Sequence, residues 1–255
     1  MSKALNLAGG YLKSILGVLV FLLAWEIASR IGLINNTFIP PFSKVVVNLA
    51  ELIADGTLFH HMAISLMRSL AGLGLGIGVG VPLGLAIGQI PAVERFLGSL
   101  LETLRQTSVL ALIPVFILLL GLGETSKIAM IFWGTLWPIL LSTIGGVKGV
   151  DPTYITASRS MAETRVGVFL KVILPAALPS IFTGVRLAAT GAVMLLIAAE
   201  MVGASSGLGF LIYDYQVKYQ IPKMFAVIAV FSIMGLVLNF GFVNAEKRLI
   251  RWRPE

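Results

Sequence analysis

The residues of this sequence most able to do chemistry are four charged side chains in or beside long apolar stretches: Glu26, Arg68, Arg186 and Glu200. A charge inside a membrane-spanning segment is costly and commonly marks an ion path or a proton relay. Four such residues are too few for a proton relay of their own. We find no cysteine and no nucleophile–base pair, carboxylate dyad or metal-ligand cluster in the sequence. We therefore predict a chain that is not an enzyme and that holds no metal or cofactor.

The composition indicates a membrane protein. Of 255 residues, 57% are hydrophobic and 12% are charged, and the mean hydropathy is +0.95. Soluble domains contain roughly 25% charged residues, and the apolar runs here are too long for a soluble core. The net charge of +7 is better explained by Lys and Arg retained on the cytoplasmic side than by nucleic acid. The sequence therefore predicts an all-α integral membrane protein.

Six segments approach the length of roughly 20 apolar residues that a spanning helix needs. They cover about 12–31, 64–90, 108–122, 126–147, 176–202 and 222–245. Pro114 and Pro138 lie inside the third and fourth segments and are expected to kink them. The first segment has no small-residue cleavage site, so it is interpreted as an uncleaved span. We divide the chain into residues 1–62, a first span with an external connector, and residues 63–250, a core domain.

The distribution of Lys and Arg predicts the orientation. With the N-terminus inside, twelve of these residues fall on the cytoplasmic side and five outside, a clear bias. The twelve are Lys3, Lys13, Arg95, Arg105, Lys148, Arg159, Arg165, Lys171, Lys247, Arg248, Arg251 and Arg253. The five are Arg30, Lys44, Lys127, Lys218 and Lys223. We predict that both termini are cytoplasmic.

The external connector contains a predicted amphipathic helix over 44–54. Ser43 is placed to cap this helix, and Asp55-Gly56 to end it. A helix lying on the membrane surface and a plain connector are equally consistent with the pattern.

The second apolar segment carries a ridge of small residues. The glycines recur every four residues, at Gly72, Gly76, Gly80, Gly84 and Gly88. Small residues at this spacing let a neighbouring helix approach closely. Tight helix packing is the favoured interpretation, and sliding of packed helices during transport is the alternative.

One long polar interruption, Gly149–Pro175, separates the fourth and fifth segments. We predict a short helix, a turn and a second amphipathic piece that stops at Pro175. An apolar face with a charged rim is typical of a protein interface. The face comprises Tyr154, Ile155, Met161, Val166, Val168 and Phe169, and the rim Arg159, Arg165 and Lys171. An amphipathic loop held on anionic lipid is the alternative.

This interruption resembles the EAA loop of ATP-binding-cassette importer permeases. The run Thr156-Ala-Ser-Arg-Ser-Met-Ala162 is followed by nine residues and then by Val172-Ile-Leu-Pro175. Thr156 and Ala162 replace the Glu and Gly of that motif, so we expect a less sharp turn and one acidic contact fewer. The resemblance implies that the loop couples the chain to an ATPase, through Arg159, Arg165 and apolar packing more than through an acid. The implied coupling residues are Tyr154, Ile155, Thr156, Ala157, Ser158, Arg159, Met161, Ala162, Arg165 and Pro175.

Further blocks resemble the nitrate/sulfonate/taurine branch of these permeases. They are Phe38-Ile-Pro-Pro41, Ala111–Ile128, Leu174–Arg186, Ala199–Ala204 and Gly207-Leu-Gly209. The resemblance implies six transmembrane helices in the MetI-like fold of type I importers, in the bacterial inner membrane. It also implies several partners: a second copy of the chain, a cytoplasmic ATPase dimer that binds ATP and Mg, an extracytoplasmic substrate-binding protein, and membrane lipid. No nucleic acid is expected.

The implied cargo is a small anion such as an alkanesulfonate, taurine or nitrate. Bicarbonate, an aromatic acid or a vitamin precursor is the alternative within the same superfamily, where methionine and phosphonate are less favoured. An ion-driven secondary transporter and an intramembrane enzyme are the rival classes.

The candidates for the substrate path are Arg68, Gln106, Ser108, Arg186 and Glu200. Either arginine can attract an anion, or it can reach the membrane interface or bond a carbonyl. Glu200 can pair with one of them or line the outer gate, and a structural ion pair is favoured because a carboxylate would repel an anion. Gln106 and Ser108 can line the inner mouth, although ordinary loop polarity explains them equally well.

Overall fold

A computed structural model describes the backbone of residues 2–249 and the side chains of residues 16–248. The described residues form helices and turns only. The helices are α1 (Ser2–Arg30), α2 (Phe42–Ala54), α3 (Thr57–Gln89), α4 (Pro91–Arg105), α5 (Ile113–Leu120), α6 (Glu124–Lys148), α7 (Pro152–Ser160), α8 (Arg165–Val168), a π-helical turn (Phe169–Ile173), α9 (Leu174–Met201), α10 (Leu208–Val217) and α11 (Ile221–Leu249). Four basic side chains used to predict the orientation, those of Lys3, Lys13, Arg251 and Arg253, lie outside the described residues.

Four of the described helical segments are long and apolar enough to cross a membrane: Thr57–Gln89, Glu124–Lys148, Arg165–Met201 and Ile221–Arg248. They coincide with the second, fourth, fifth and sixth predicted spans. The first predicted span falls in α1, which has 29 residues, but the side chains of its first half are outside the described set. The six-span count therefore stays a prediction.

The prediction of one continuous third helix over 108–122 was wrong. Residues 109–112 form turns, and α5 has only 8 residues, about 12 Å at 1.5 Å per residue. Pro114 lies in the first turn of α5, where its missing N–H costs nothing. It therefore begins a helix and does not kink one, whereas α6 continues through Pro138.

The sequence analysis missed α4. This helix begins with Pro91 in its first turn and carries Glu94, Arg95, Glu102 and Arg105. A search for purely apolar segments passes over such a helix because its charges lower the mean hydropathy. Its apolar face, including Val93, Leu97 and Leu101, packs against Ile87, Trp137 and Leu140.

The described residues divide into two compact units: residues 2–61 with 211–231, and residues 62–210 with 232–249. In the first unit, Trp25 packs against Phe42 and Phe225 and donates a hydrogen bond to the Pro40 carbonyl at 3.1 Å. The boundaries predicted for α2 were right to within two residues, and Gly56 ends it at a φ of 75°. The predicted Ser43 cap was wrong, because Ser43 donates from its N–H and its hydroxyl to Glu26.

In the second unit, the glycine ridge of α3 lies directly against α6. A Cβ built on Gly72, Gly76 or Gly84 would come within 2.6 Å of the side chain of Ile131, Thr135 or Thr143 respectively. Gly80 and Gly88 face Ile139 and Val147 in the same way. Each glycine thus accepts one β-branched side chain, and both series rise by four, so α3 and α6 run parallel.

The same glycine contacts fix the direction of α9. Gly146 of α6 contacts Ser180, and Gly184 of α9 contacts Ser142, so these two helices are antiparallel. Buried apolar residues of α3, α6 and α9 form a shared core that includes Leu73, Ile139 and Ala188. One end of this three-helix layer holds Arg68 and Glu200, and the other holds Gly88 and Val147.

Candidate functional site

The polar interruption folds as two short helices whose first turns are capped by side chains. The Asp151 carboxylate accepts the Thr153 N–H at 2.8 Å, and the Thr164 hydroxyl accepts the Gly167 N–H at 3.1 Å. Both bonds satisfy amide groups that have no partner within a helix. The bond from the Thr153 N–H holds the pKa of the Asp151 carboxyl below its usual range.

The prediction that the second piece stops at Pro175 was wrong. The chain passes from α8 through the π-helical turn into α9, and Pro175 lies in the first turn of α9. Proline is tolerated in the first turn of a helix, so Pro175 does not interrupt the helical backbone. The loop is therefore joined to α9 by a continuous helical backbone from Arg165 to Met201.

The expectation of a less sharp turn at Ala162 was also wrong. Ala162 has a φ of 59°, in the left-handed region that glycine adopts without strain. The N–H of Met161 donates to the carbonyls of Ala157 and Ser158, and the Ala162 N–H donates to that of Arg159. The turn is thus tight in spite of the alanine, and Ala162 carries local strain.

The two helices leave two concave surfaces. The first, here called the apolar groove, has a volume of about 590 Å³ and is lined by Tyr154, Ala157, Met161 and Pro175 among others. The second, here called the cationic cavity, has a volume of about 750 Å³ and is lined by Ile155, Arg159 and Arg165 together with the end of α3.

Eight of the ten predicted coupling residues line one of these two surfaces. Five line the apolar groove: Tyr154, Ala157, Ser158, Met161 and Pro175. Three line the cationic cavity: Ile155, Arg159 and Arg165. Thr156 and Ala162 line neither surface. Val168, which the sequence pattern puts on the apolar face, is 3% exposed and belongs to the interior. By contrast, Tyr154 is 64% exposed and Met161 81% exposed.

The charges of the loop are unevenly paired. Lys171 forms a short ion pair with Glu163, and this contact holds the pKa of the Glu163 carboxyl below its usual range. Neither Arg159 nor Arg165 has an ion-pair partner among the described residues. The loop therefore presents two uncompensated guanidinium groups.

At the other end of the three-helix layer, Arg68 is the centre of a buried polar network. The guanidinium donates to Glu124 through Nε and Nη2 at 2.5 Å each, and to Glu200 through Nη1 at 2.7 Å. It also donates to the carbonyl and hydroxyl of Ser206 at 2.7 and 3.1 Å. These contacts join α3, α6, α9 and the turn that precedes α10.

Glu200 also holds the start of α10. Its Oε2 accepts the Gly209 N–H at 2.8 Å, and the Ser65 hydroxyl accepts the Leu208 N–H at 2.8 Å. Gly207 has a φ of 115°, and a Cβ there would lie 2.3 Å from the Glu200 carboxyl carbon. The run Gly207-Leu-Gly209 is thus required by the close approach of this carboxylate.

Sequence reasoning missed Glu124, Ser65 and Ser206 as members of this network. A signal was available for Glu124, since an acid in the first turn of a helix is favoured there and a buried arginine needs acidic partners. Nothing in the sequence pattern marks the two serines.

The remaining path candidates are separate from this network. The nearest ion-pair partner of Arg186 is Glu246, at 3.6 Å. Gln106 ends α4 and donates to Glu102 at 3.1 Å, and Ser108 is exposed in the turn that follows.

Residues 76–251 match the family described as "Binding-protein-dependent transport system inner membrane component". The chain belongs to this family. It is therefore a permease subunit, and ATP hydrolysis is not its own chemistry. The matched segment contains the glycine ridge from Gly76 onward, the loop and α9.

Individual relatives cover nearly the whole permease. It is 35% identical to the putative aliphatic sulfonates transport permease protein SsuC of Bacillus subtilis, over 96% of this chain and 88% of that protein. It is 34% identical to the taurine transport system permease protein TauC of Escherichia coli, over 92% and 88%. It is 32% identical to the bicarbonate transport system permease protein CmpB of Synechocystis, over 94% and 89%.

The fold also matches a solved structure. A chain of the inward-facing MetNI methionine ABC transporter superposes with a TM-score of 0.63 at 22% identity, over 78% of this permease and 96% of that chain. The expected MetI-like helical fold is thereby confirmed at the level of the architecture.

Proposed function

We propose that this permease forms the translocation pathway of an ATP-driven importer for a small anion, and that it works as a homodimer with a cytoplasmic ATPase bound to each copy. Membership of a binding-protein-dependent transport family implies an ATPase and a binding protein as partners. Alkanesulfonates and taurine are the first cargo candidates, because relatives at 35% and 34% identity bear those names.

The observation that carries the coupling proposal is the exposed loop and its continuity with a spanning helix. Tyr154 and Met161 are large apolar side chains exposed on a polar segment, the kind of side chain that a partner buries at the centre of an interface. The backbone from Arg165 runs without a break to Met201, roughly 55 Å at 1.5 Å per residue. An ATPase that pushes on the loop would move α9 and, through Glu200, the network around Arg68.

The structure supports different roles for the charged candidates. Arg68 and Glu200 are fully buried and bonded to protein groups, so we assign them to holding the outer end of the helices. Arg186, Gln106 and Ser108 remain the path candidates, because Arg186 has 40% of its side chain exposed and only a long contact to Glu246. In this arrangement an anion would meet Arg186 on the cytoplasmic half of α9.

The deciding experiment is co-purification with the ATPase, followed by transport-coupled hydrolysis. Replacing Tyr154–Arg165 by a Gly/Ser linker is expected to abolish ATPase retention while the permease remains membrane-inserted. If the ATPase were retained by that variant, the coupling proposal would fail. Replacement of residues 32–37, in the turn that follows α1, controls for general disruption.

Bicarbonate is the second cargo candidate, since a bicarbonate permease is 32% identical over 94% of this chain. The ATPase rate of the transporter, reconstituted with its binding protein, distinguishes the two cargo candidates. Taurine or an alkanesulfonate is expected to raise the ATPase rate, and bicarbonate to leave it at the basal level. The opposite ranking would transfer the assignment to bicarbonate.

A further inference from the structure

The cationic cavity has a charge pattern that the family assignment does not explain. Arg159 and Arg165 line the same space of about 750 Å³ as Gln89, the last residue of α3, and Ile90, which follows it. Both arginines are exposed and neither is ion-paired within residues 16–248. An arginine stays charged at any physiological pH, so the cavity is permanently cationic.

An acidic side chain of the loop itself could neutralise this cavity, but it is held elsewhere. Glu163 lines the cavity too, yet its carboxylate is engaged by Lys171. Gly167 leaves room for that arrangement, because a Cβ there would lie 2.5 Å from the Glu163 Oε2. The other acid of the loop, Asp151, caps α7. The described loop thus offers no free carboxylate to Arg159 or Arg165.

We propose that the cationic cavity receives an aspartate or glutamate side chain of the ATPase subunit, and that the Glu163–Lys171 pair keeps the cavity available for it. The proposal rests on the proposed function, since it names the chemistry with which the ATPase recognises this loop. A guanidinium binds a carboxylate through two parallel hydrogen bonds, and two of them on one cavity favour an acidic side chain strongly.

A protein carboxylate fits better than a free anion or a lipid phosphate. The cationic cavity and the apolar groove share Glu163, so the two concave surfaces meet at that residue. A partner that buries Tyr154 and Met161 in the groove can place an acid in the cavity at the same time. A small anion would leave those two apolar side chains exposed.

The first test reverses the charge of the cavity. Arg159→Glu with Arg165→Glu is expected to lower the ATPase retained on the permease at least tenfold, measured in detergent without anionic lipid. Changing the responsible ATPase acid to Lys is expected to restore retention. Arg95→Glu is the matched control, because Arg95 is an exposed arginine on α4 with no ion pair in the described chain.

The second test releases Glu163 from its ion pair with Lys171. Lys171→Met is expected to weaken ATPase retention, because Glu163 would then turn to the arginines and neutralise the cavity. Adding Glu163→Gln to Lys171→Met is expected to restore retention, a rescue that a merely structural role for Lys171 would not give.

The outcomes separate this inference from the proposed function. If the Arg159→Glu, Arg165→Glu variant keeps the ATPase while the Gly/Ser loop variant loses it, the acidic contact is overturned and the coupling proposal stands. If inorganic phosphate binds the permease in an arginine-dependent way while retention is unchanged, the cavity takes a free anion and the inference is likewise overturned. If the unaltered permease retains no ATPase, both proposals fail.

Discussion

At the scale of single residues, Arg68 shows how a charge is kept inside a spanning helix. Its side chain is 1% exposed, and removing a guanidinium from water is costly unless every donor is satisfied. Its five N–H donors make the five hydrogen bonds described above, to Glu124, Glu200 and Ser206. Every N–H donor of the Arg68 guanidinium therefore has an acceptor. Losing the arginine would leave Glu200 buried without its ionic partner.

Replacing Arg68 by Met is expected to destabilise the permease by about 3–5 kcal/mol, the usual cost of breaking a buried ion pair from one side. The same replacement in a Glu200→Gln background is expected to cost less, because no buried carboxylate is then stranded. Thermal unfolding of the purified protein measures both. Arg95→Met, at an exposed arginine, is the control, and an equal loss for Arg68→Met and Arg95→Met would contradict the buried network.

A substitution at Ala162 is expected to have the opposite effect on stability. A non-glycine residue in the left-handed region costs roughly 1–2 kcal/mol, so Ala162→Gly is expected to stabilise the turn between α7 and α8. Ala157→Gly, within α7, is expected to destabilise that helix by about 1 kcal/mol. Amide hydrogen exchange over residues 152–168 reports both changes. Faster exchange in Ala162→Gly would show that the turn is not strained.

At the scale of helices, α3 carries a second, shorter row of glycines, Gly74 and Gly78. The surroundings of this row differ from those of the ridge. Gly76 and Gly84 lie against Thr135 and Thr143 of α6, whereas a Cβ on Gly74 or Gly78 meets nothing within 4 Å. The first row is needed for close approach of two helices. The second is free of that constraint in the described structure.

Gly76→Ala and Gly84→Ala are each expected to destabilise the protein by about 1–3 kcal/mol through overpacking. Gly74→Ala and Gly78→Ala are expected to be neutral or slightly stabilising, because alanine favours a helix over glycine. The four variants are compared by thermal unfolding in one detergent. Equal effects in both rows would mean that α3 does not pack on α6 through the first row.

The start of α7 is expected to depend on pH. The pKa of Asp151 is lowered in the folded loop by the Thr153 N–H, so its charged form stabilises the cap. This stabilisation is complete above the unfolded value of about 3.9 and is lost as the pH falls through the lower folded value. Asp151→Asn, which keeps a capping oxygen without the charge, is expected to remove the dependence.

A spin label at position 160 can measure this effect, because the chain has no cysteine and a single one can be introduced. The label on the unaltered loop is expected to gain mobility in the acid range, whereas the label on Asp151→Asn is expected to change little. The same acid transition in both proteins would show that Asp151 is not its cause.

At the scale of the molecule, the three-helix layer has two different ends. Parallel α3 and α6 with antiparallel α9 bring the Arg68 network to one end and the capped loop to the other. One continuous helical segment, Arg165–Met201, therefore joins the loop to the network. The positive-inside bias of the sequence predicts that the loop end lies in the cytoplasm.

Cysteine labelling tests this orientation. Ser205→Cys, in the exposed turn beside the Arg68 network, is expected to react with an impermeant maleimide applied to spheroplasts. Ser160→Cys, in the loop, is expected to react only after the membrane is opened. The reverse pattern would invert the topology and remove the loop from reach of a cytoplasmic ATPase.

Much of this architecture could be predicted from the sequence because it depends on local chemistry. Long apolar runs can span a bilayer only as helices, so four spans were located to within several residues. The register of the loop motif likewise indicated the family, since α7 and its turn are built from consecutive residues.

The predictions that failed concern segments whose local sequence signal conflicts with their structural surroundings. α4 was hidden by its own charges, and α5 was predicted too long because apolarity does not distinguish a helix from a turn. Ala162 was expected to loosen the turn, yet the surrounding helices hold it in the conformation of a glycine.

By itself, then, the sequence determined that this chain folds in a membrane, where its long apolar helices lie, and which loop marks its family. Only the tertiary structure decided which charges meet: Arg68 with Glu124 and Glu200, and Glu163 with Lys171. Arg159 and Arg165 have no ion-pair partner in the described part of the chain. Helix formation follows from the period of nearby residues. Charge pairing joins residues as many as 132 positions apart, and only helix packing brings them together.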